Sequence, residues 1–307
     1  MAKRKPPSRN RERGFGKSRD FPQNQGHRPH RDDAGRRSAR PVSATARGGE
    51  ERQPRREEAS EHRGDHRPQP GGPYWIYGHH AVTAALANPA RKMLRLAQAG
   101  TGEVPSVEGH EWEHVPRDIL ESWLPTGAVH QGLAIKVHPL PDQGIEDVIA
   151  AAEGEERAHL MILDQVTDPQ NVGAILRSAA AFGALAVVLT ERHAAPESGA
   201  LAKAASGALE HVPLIRVANL ARAIELLKKG GFWIAGLAAE ASQTLAQAKL
   251  TGRIGLALGA EGPGLRRLTR EHCDLLVRLP TGGPIDHLNV SNAAAVALYE
   301  LVRESGD

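Results

Sequence analysis

The stretch DPQNVGAILRSAAAFGA, residues 168–184, decides how this chain folds, because it marks the change from a strand to a helix. The apolar run HLMILD (159–164) precedes it and has the length and composition of a buried strand. Pro169 suits the first turn of a helix, and Asn171 suits its N-cap. The stretch therefore predicts a buried strand followed by a helix that begins near Asn171.

The same alternation continues to the end of the chain. Further apolar runs predict strands: LAVVLT (185–190), VPLIRV (212–217), FWIAGL (232–237), IGLALG (254–259) and LLVRLP (275–280). Helical segments separate most of them: 172–182, 198–206, 220–229 and 264–273, with a last helix over 289–304. Short apolar strands that alternate with helices predict a parallel α/β sheet covered on both faces. Such a sheet binds ligands beyond the carboxyl ends of its strands.

Composition divides the 307 residues into four predicted regions. Residues 1–70 hold 19 Lys and Arg against 10 Asp and Glu, whereas the rest of the chain holds 20 against 26. The basic part has almost no Leu, Ile or Val, so we predict a disordered tail. The predicted regions are the tail (1–72), a small α/β domain (73–140), a linker (141–157) that contains a helix, and the sheet domain (158–307).

Several classes of protein are disfavoured. The single cysteine, Cys273, allows no intramolecular disulfide and fits the reducing cytoplasm. The tail lacks the apolar core of a secretory signal, and no apolar run reaches the ~18–20 residues that span a bilayer. The 15 histidines show no metal-ligand spacing. We therefore expect a cytoplasmic protein with no membrane segment and no metal.

Arg177 lies four residues after Gly173, on the same face of the predicted helix. Side chains on a helix lean toward its N-terminus, so we expect Arg177 to cross the bare surface at Gly173. It would then meet the free N–H groups near Asn171, an arrangement that suits a phosphate or an oxyanion. An ordinary capped helix with a surface arginine is the alternative, and this segment alone favours that alternative.

Two further polar clusters follow predicted strands. LGAEGPGL (258–265) surrounds the charged Glu261 with glycines, which let the backbone approach a ligand closely. Its spacing matches neither the dinucleotide fingerprint nor the Walker pattern. LPTGGPIDHLNVSNAAAVALYE (279–300) crosses a glycine-rich loop and opens the last helix with Asn289 and Ser291. Helix capping explains Ser291 but not the polar loop before it.

Together these clusters resemble the SpoU-type (TrmH-like) family of RNA 2′-O-ribose methyltransferases. Residues 168–184, 258–265 and 279–300 are similar, in that order, to the family's three motifs. The segment KAASGALEHVPL (203–214) resembles a further signature of the family, and the resemblance covers 158–307. A histidine, His287, stands where a serine is usual just before LNVS.

The segments YGHHAVTAAL (77–86) and AVHQGLAIKV (128–137) resemble the N-terminal RNA-binding domain of the longer members. That domain points to the branch that modifies a guanosine in 23S rRNA more than to the short tRNA-directed branch. A noncatalytic RNA-binding module remains an alternative from another class. A nicotinamide dehydrogenase would need a Rossmann glycine fingerprint after the first strand, and the sequence has none there.

The resemblance implies a fold, a cofactor and an assembly. Members carry a trefoil knot in the parallel sheet domain and bind S-adenosylmethionine in a bent form inside the knot. By similarity, Gly259, Leu279 and Leu288 would hold this cofactor, mainly through backbone groups. Members are homodimers, and the active site lies at the interface between the two chains.

The reaction aligns a ribose 2′-hydroxyl with the methyl group of a sulfonium and removes the hydroxyl proton. The arginine of the first motif, here Arg177, is often assigned as the base in this family. A charged Arg177 that stabilises the developing oxyanion or binds the adjacent phosphate is physically easier, because the pKa of arginine exceeds about 12. Four polar residues would orient the ribose, the loop and this arginine: Asn171, Glu261, Asn289 and Ser291.

Deletion of residues 1–70 should weaken RNA binding, because it removes a net charge of +9 from a chain whose remainder carries −6. The salt dependence of binding should also flatten, since each lost phosphate contact removes roughly 0.7–0.9 from the log–log slope. RNA affinity at several salt concentrations, for the full and shortened chains, measures both effects. Cofactor affinity is the control and should not change. An unchanged slope would show that the tail only adds solubility.

Overall fold

The structure, a computed structural model, describes residues 71–303 except His193 and Asp286. The predicted tail lies outside the described residues except for its last two positions. The first elements are β1 (Tyr74–Tyr77), α1 (His79–Ala87), β2 (Met93–Gln98), β3 (Trp112–His114), α2 (Arg117–Ser122), β4 (Leu133–Val137) and α3 (Ile145–Ala151). The later elements are β5 (Ala158–Asp164), α4 (Pro169–Ala181), β6 (Val187–Thr190), α5 (Gly199–Ala205), a 3-10 turn (Ala208–Glu210), β7 (Leu214–Val217), α6 (Leu220–Lys229), β8 (Trp233–Leu237), α7 (Leu245–Ala248), β9 (Arg253–Gly259), α8 (Arg267–His272), β10 (Leu275–Val277) and α9 (Val290–Val302).

The larger sheet has six strands in the order β10-β8-β9-β5-β6-β7, and all neighbouring strands are parallel. Alternate residues of the central strand β5 enter two different cores. Met161 and Leu163 pack with α4 and α9 on one face, and Leu160 and Ile162 pack with α3 and α6 on the other. Burial on both faces is the reason why this strand is apolar without alternation. The predicted parallel α/β sheet is confirmed.

The smaller sheet has the order β1-β4-β2-β3, with β2 and β3 parallel and the other pairs antiparallel. Some of its buried residues, such as Ile76 and Ile135, belong to the same core cluster as α4, and others, such as Ala97 and Ala134, form a separate cluster with α2. At the junction, a β-carbon on Gly199 would lie 2.2 Å from the carbonyl oxygen of Trp75, so only glycine allows α5 to approach β1 this closely. The predicted division between the small α/β domain and the sheet domain, at 140–158, stays a prediction. All described residues lie in one compact unit.

Several element boundaries differ from the predictions. The apolar pattern of GAVHQGLAIKV predicts a strand over 127–137, but only β4 forms there, because Gln131 and Gly132 have φ of 55° and 82° and form a turn. The short elements β3 and α7 were not predicted, since three or four residues carry too little pattern. The last strand ends at Val277 rather than at 280. The predicted linker contains α3, which packs against α6 through the core.

Asp164, the last residue of β5, is fully buried and fixes the start of α8. Its carboxylate accepts hydrogen bonds from the backbone N–H of Arg266 at 2.9 Å, from Nε of Arg266 at 2.6 Å and from Oγ1 of Thr269 at 2.6 Å. A buried carboxylate is tolerated only when its oxygens are paired in this way. Asp164 therefore ties the central strand to the helix that follows the loop of the second motif.

Asp164→Asn should lower the free energy of unfolding by about 3 kcal/mol, because it removes the buried charge and turns one acceptor into a donor that faces Thr269 and Arg266. Urea unfolding measures the change, and the slope against urea should stay the same. The matched control is Glu271→Gln, which breaks an exposed pair with Arg267 and should cost less than about 0.5 kcal/mol. Equal costs for the two variants would contradict this account.

Candidate active site

The helix α4 begins differently from the prediction. Asp168 is the N-cap, its side chain accepts a hydrogen bond from the backbone N–H of Gln170, and Pro169 occupies the first turn. The prediction that Asn171 caps the helix was wrong, because the aspartate before the proline already satisfies the free N–H groups. Asn171 lies inside the first turn instead, and its side chain bonds to distant residues.

The carboxylate of Glu261 brings the three motifs together. Its Oε1 accepts hydrogen bonds from Nδ2 of Asn289 at 2.6 Å and from Nδ2 of Asn171 at 3.4 Å. Asn289 also donates to Oδ1 of Asn171 at 3.0 Å, which closes a three-membered ring of hydrogen bonds. These side chains lie at the start of α4, in the loop after β9 and at the start of α9. All three therefore meet beyond the carboxyl ends of the strands, where a parallel sheet places its ligand site.

Ser291 fixes the orientation of the Asn289 amide. Asn289 is the N-cap of α9, and its Oδ1 accepts from the backbone N–H of Ser291 at 2.9 Å and from Oγ of Ser291 at 2.6 Å. With both bonds on the oxygen, the NH₂ group must point toward Glu261. The predicted roles of these four polar residues stay predictions, and the structure places all four in one hydrogen-bond network.

Arg177 lies apart from this network. Its side chain is exposed and makes no hydrogen bond or ion pair with another residue in the described part of the chain. The expected bare surface at Gly173 does not exist, because α5 covers it: a β-carbon there would lie 2.5 Å from Ala204 and 2.6 Å from the carbonyl oxygen of Leu201. Arg177 therefore does not cross Gly173 to reach Asn171. The glycine is required by helix packing.

A cavity of about 650 Å³ lies beside the network. All three residues predicted to hold a cofactor line it: Gly259 at the end of β9, Leu279 just after β10, and Leu288 just before α9. Glu261 and Asn289 form part of the same wall. The cavity therefore joins an apolar, backbone-rich region to the polar network.

Sequence reasoning missed part of this wall. Leu237 ends β8, Ala238 and Ala239 follow it, Arg278 follows β10, and all four line the cavity. None of them belongs to a polar cluster, so no motif marks them in the sequence. They line the cavity through the position of β8 beside β9, because neighbouring parallel strands end at the same edge.

Gly259 is required by the loop that carries Glu261. A β-carbon on it would lie 1.9 Å from the carbonyl carbon of Gly264 and 2.1 Å from the backbone nitrogen of Leu265. The loop returns on itself through a hydrogen bond from the N–H of Gly264 to the carbonyl of Ala260, at 2.9 Å. Any side chain at position 259 would open this turn and move Glu261 away from the two asparagines.

Within the described part of the chain, no group of three or more His, Cys, Asp or Glu residues could hold a metal ion. None of the helices described there is long and apolar enough to cross a membrane.

Comparison with known proteins adds to this geometry. The model of the SpoU rRNA Methylase family matches residues 158–299. The 23S rRNA (guanosine-2′-O-)-methyltransferase RlmB of Escherichia coli K12 is 48% identical over 241 residues, which cover 75% of this chain and 98% of that protein. The RlmB protein of Yersinia pestis is 41% identical over 247 residues, which cover 75% of this chain and 97% of that protein.

Solved structures share the fold. The SpoU methyltransferase AviRb of Streptomyces viridochromogenes, in complex with AdoMet, is 23% identical, with a TM-score of 0.65 over 76% of this chain and 91% of that chain. An AdoMet-bound rRNA methyltransferase of Sinorhizobium meliloti is 21% identical, with a TM-score of 0.63 over 76% of this chain and 87% of that chain. The motifs, their arrangement in space and the match to relatives over nearly their whole length agree: this chain belongs to the SpoU rRNA methylase family.

Proposed function

We propose that this protein transfers a methyl group from S-adenosylmethionine to the ribose 2′-hydroxyl of a guanosine in 23S rRNA. The observation that carries the proposal is the ring of hydrogen bonds among Asn171, Glu261 and Asn289 beside the cavity. The substrate is inferred from the RlmB relatives, which are named for the methylation of a 23S rRNA guanosine and which this chain matches over 97–98% of their length.

The cavity suits S-adenosylmethionine in size and chemistry. Pockets for ligands of this class measure about 300–1,000 Å³, and this one measures about 650 Å³. The aliphatic side chains of Leu279 and Leu288 can cover a purine ring, and the backbone beside Gly259 can approach a ribose closely. When bound, this cofactor supplies a methyl group on a positively charged sulfur. No metal takes part in the proposed reaction.

The residues of the network act by orientation. Glu261 holds Asn171 and Asn289 in one geometry, and Ser291 fixes the direction of the Asn289 amide. We propose that these groups hold the ribose and the loop before α9 in line with the methyl donor. Alignment of this kind can lower a barrier by about 7–11 kcal/mol.

Arg177 needs a second chain to reach an active site. Its helix α4 packs against α9, and the ring of Phe182 at the end of α4 lies 6.2 Å from that of Tyr299. On α9, Val296 and Tyr299 are 47% and 55% exposed. We propose that this face of α4 and α9 forms a homodimer interface that places Arg177 of each protomer at the site of the other. There its guanidinium would stabilise the 2′-oxyanion or bind the adjacent phosphate.

Three further features belong to the same proposal. We propose a trefoil knot in the C-terminal segment and RNA binding by the small α/β domain (73–140), and family membership supports both. A cytoplasmic location fits an rRNA substrate. The tRNA-directed activity found elsewhere in the family and a noncatalytic RNA-binding role are outcomes that the first test below separates from the proposal.

The wild-type protein should label 23S rRNA, and not tRNA, with methyl groups from radioactive S-adenosylmethionine. Arg177→Ala should reduce turnover by about 10²–10³-fold, as the loss of one oxyanion donor does. It should leave the affinity for S-adenosylhomocysteine unchanged, because Arg177 does not line the cavity. Arg177→Lys should also fail if a planar fork is required. Labelled tRNA alone would favour the tRNA activity, and no labelled RNA would favour the noncatalytic role.

Val296→Arg should convert the protein to a monomer and abolish methyl transfer, since it buries an unpaired charge in the proposed interface. Sedimentation velocity and the activity assay measure the two effects. The matched control is Val129→Arg, because Val129 is 65% exposed in the small domain and lies on neither α4 nor α9. A fully active monomer would contradict both the interface and the proposed place of Arg177.

A further inference from the structure

A buried arginine joins the two sheets of this protein. Arg91, between α1 and β2, has no solvent-exposed side-chain surface. Its Nε and Nη2 donate to the two carboxylate oxygens of Glu210 at 3.1 and 2.7 Å, which is the bidentate geometry of a strong ion pair. Its Nη1 contacts Oε1 of Glu197 at 3.1 Å, the hydroxyl of Tyr74 at 3.2 Å and the carbonyl of His138 at 3.0 Å.

Both ion pairs of Arg91 cross the junction between the sheets. Arg91 and Tyr74 belong to the smaller sheet and its connections. Glu197 and Glu210 lie before and after α5, in the part of the chain that forms the larger sheet. Two more hydrogen bonds cross the same junction: the hydroxyl of Tyr74 donates to Glu197 at 2.5 Å, and Nδ2 of Asn88 donates to Glu210 at 2.9 Å. We name these five residues the Arg91 cluster.

The charged groups of the Arg91 cluster are largely removed from water: the side chains of Arg91, Glu210 and Glu197 are 0%, 2% and 17% exposed. Burial, followed by the charge of Glu197, raises the pKa of Tyr74 well above its ordinary value, so its hydroxyl remains a donor. Arg216 interacts electrostatically with Glu197 and brings a second positive charge to that side of the cluster. Removal of one partner from such a set leaves an uncompensated buried charge. The cluster therefore favours one arrangement of the two sheets over all others.

The Arg91 cluster is connected to the active site by direct packing. Glu197 and Glu210 flank α5, and α5 packs so closely on α4 that Gly173 has no room for a β-carbon. The helix α4 in turn starts beside Asn171 and carries Arg177. An RNA held by the smaller sheet is thus presented to the site through a short and rigid series of contacts.

We propose that Arg91 is a positioning residue for the substrate: it fixes the small domain on α5, so that RNA bound there meets the active site at one set distance and angle. The inference rests on the proposed function. It assigns the glutamate of the signature segment 203–214, Glu210, to the docking of the RNA-binding unit rather than to the chemistry. The alternative to this fixed position is a small domain that moves freely about the linker.

The test compares two substrates in the full-length protein. One is a long 23S rRNA fragment that contains the methylated guanosine, and the other is a short stem-loop around the same nucleotide, too small to span both units. Arg91→Ala should raise the KM of the long fragment at least tenfold, which is about 1.4 kcal/mol. The kcat on the long fragment, both constants of the stem-loop and the Kd of S-adenosylhomocysteine should each change by less than about twofold.

Three variants support the comparison. Arg91→Lys keeps the charge but not the planar fork and should recover part of the loss. Glu210→Gln removes the charge from the other side of the junction and should reproduce the rise in KM on the long fragment. Arg91→Lys and Glu210→Gln provide the test if Arg91→Ala does not fold. Arg267→Ala is the matched control, because Arg267 is an exposed arginine outside the small domain whose described ion pair lies within α8, with Glu271.

Failure of the proposed function and failure of the Arg91 inference give different results in this test. A wild-type protein that methylates neither RNA contradicts the proposed function. An active wild type whose Arg91→Ala variant keeps the KM of the long fragment overturns only this inference. An equal loss of kcat on both substrates also overturns it, because Arg91 would then support the folding of the catalytic unit and not the placement of RNA.

Discussion

The site depends on one carboxylate, that of Glu261, which holds together parts of the chain that are far apart in sequence. Its hydrogen-bond partners lie 90 residues before it and 28 residues after it. One partner amide lies in the first turn of α4 and the other caps α9, so the carboxylate holds the starts of two helices against one loop. A charged acceptor suits this task, since hydrogen bonds to ionised groups are about twice as strong as neutral ones.

The glycines and Asp164 serve the placement of that carboxylate. Gly259 lets the loop return so closely that a β-carbon at this position would lie within 2.1 Å of the loop's backbone. Asp164 fixes the helix that follows the loop. Gly173 plays the same part for α4, which could not approach α5 with any larger residue. Close packing on both sides thus leaves the polar network few other conformations, and preorganisation of this kind is what orientation-based catalysis needs.

Both proposals about assembly involve α4. In one, the exposed face shared with α9 would bring a second chain, and with it Arg177, to the site. In the other, α5 and the Arg91 cluster would hold the RNA-binding domain in place. An enzyme that binds a large RNA and modifies a single ribose must control both the arrival of the substrate and the completion of the site. Both proposed controls involve α4.

The sequence by itself determined the parallel sheet, the three motifs and the membership of the network, because strands buried on both faces are apolar throughout and polar clusters at their ends stand out. It could not determine which residue caps α4, since Asp168 and Asn171 both suit that position, nor that α5 covers Gly173. The wall formed by Leu237 and Arg278 was also beyond it, because ordinary residues line a cavity only through the order of the strands. Only the tertiary structure showed that Arg91 pairs with Glu210, at a separation of 119 residues. The sequence does not reveal this pair, because it does not show whether a given arginine or glutamate is exposed or buried.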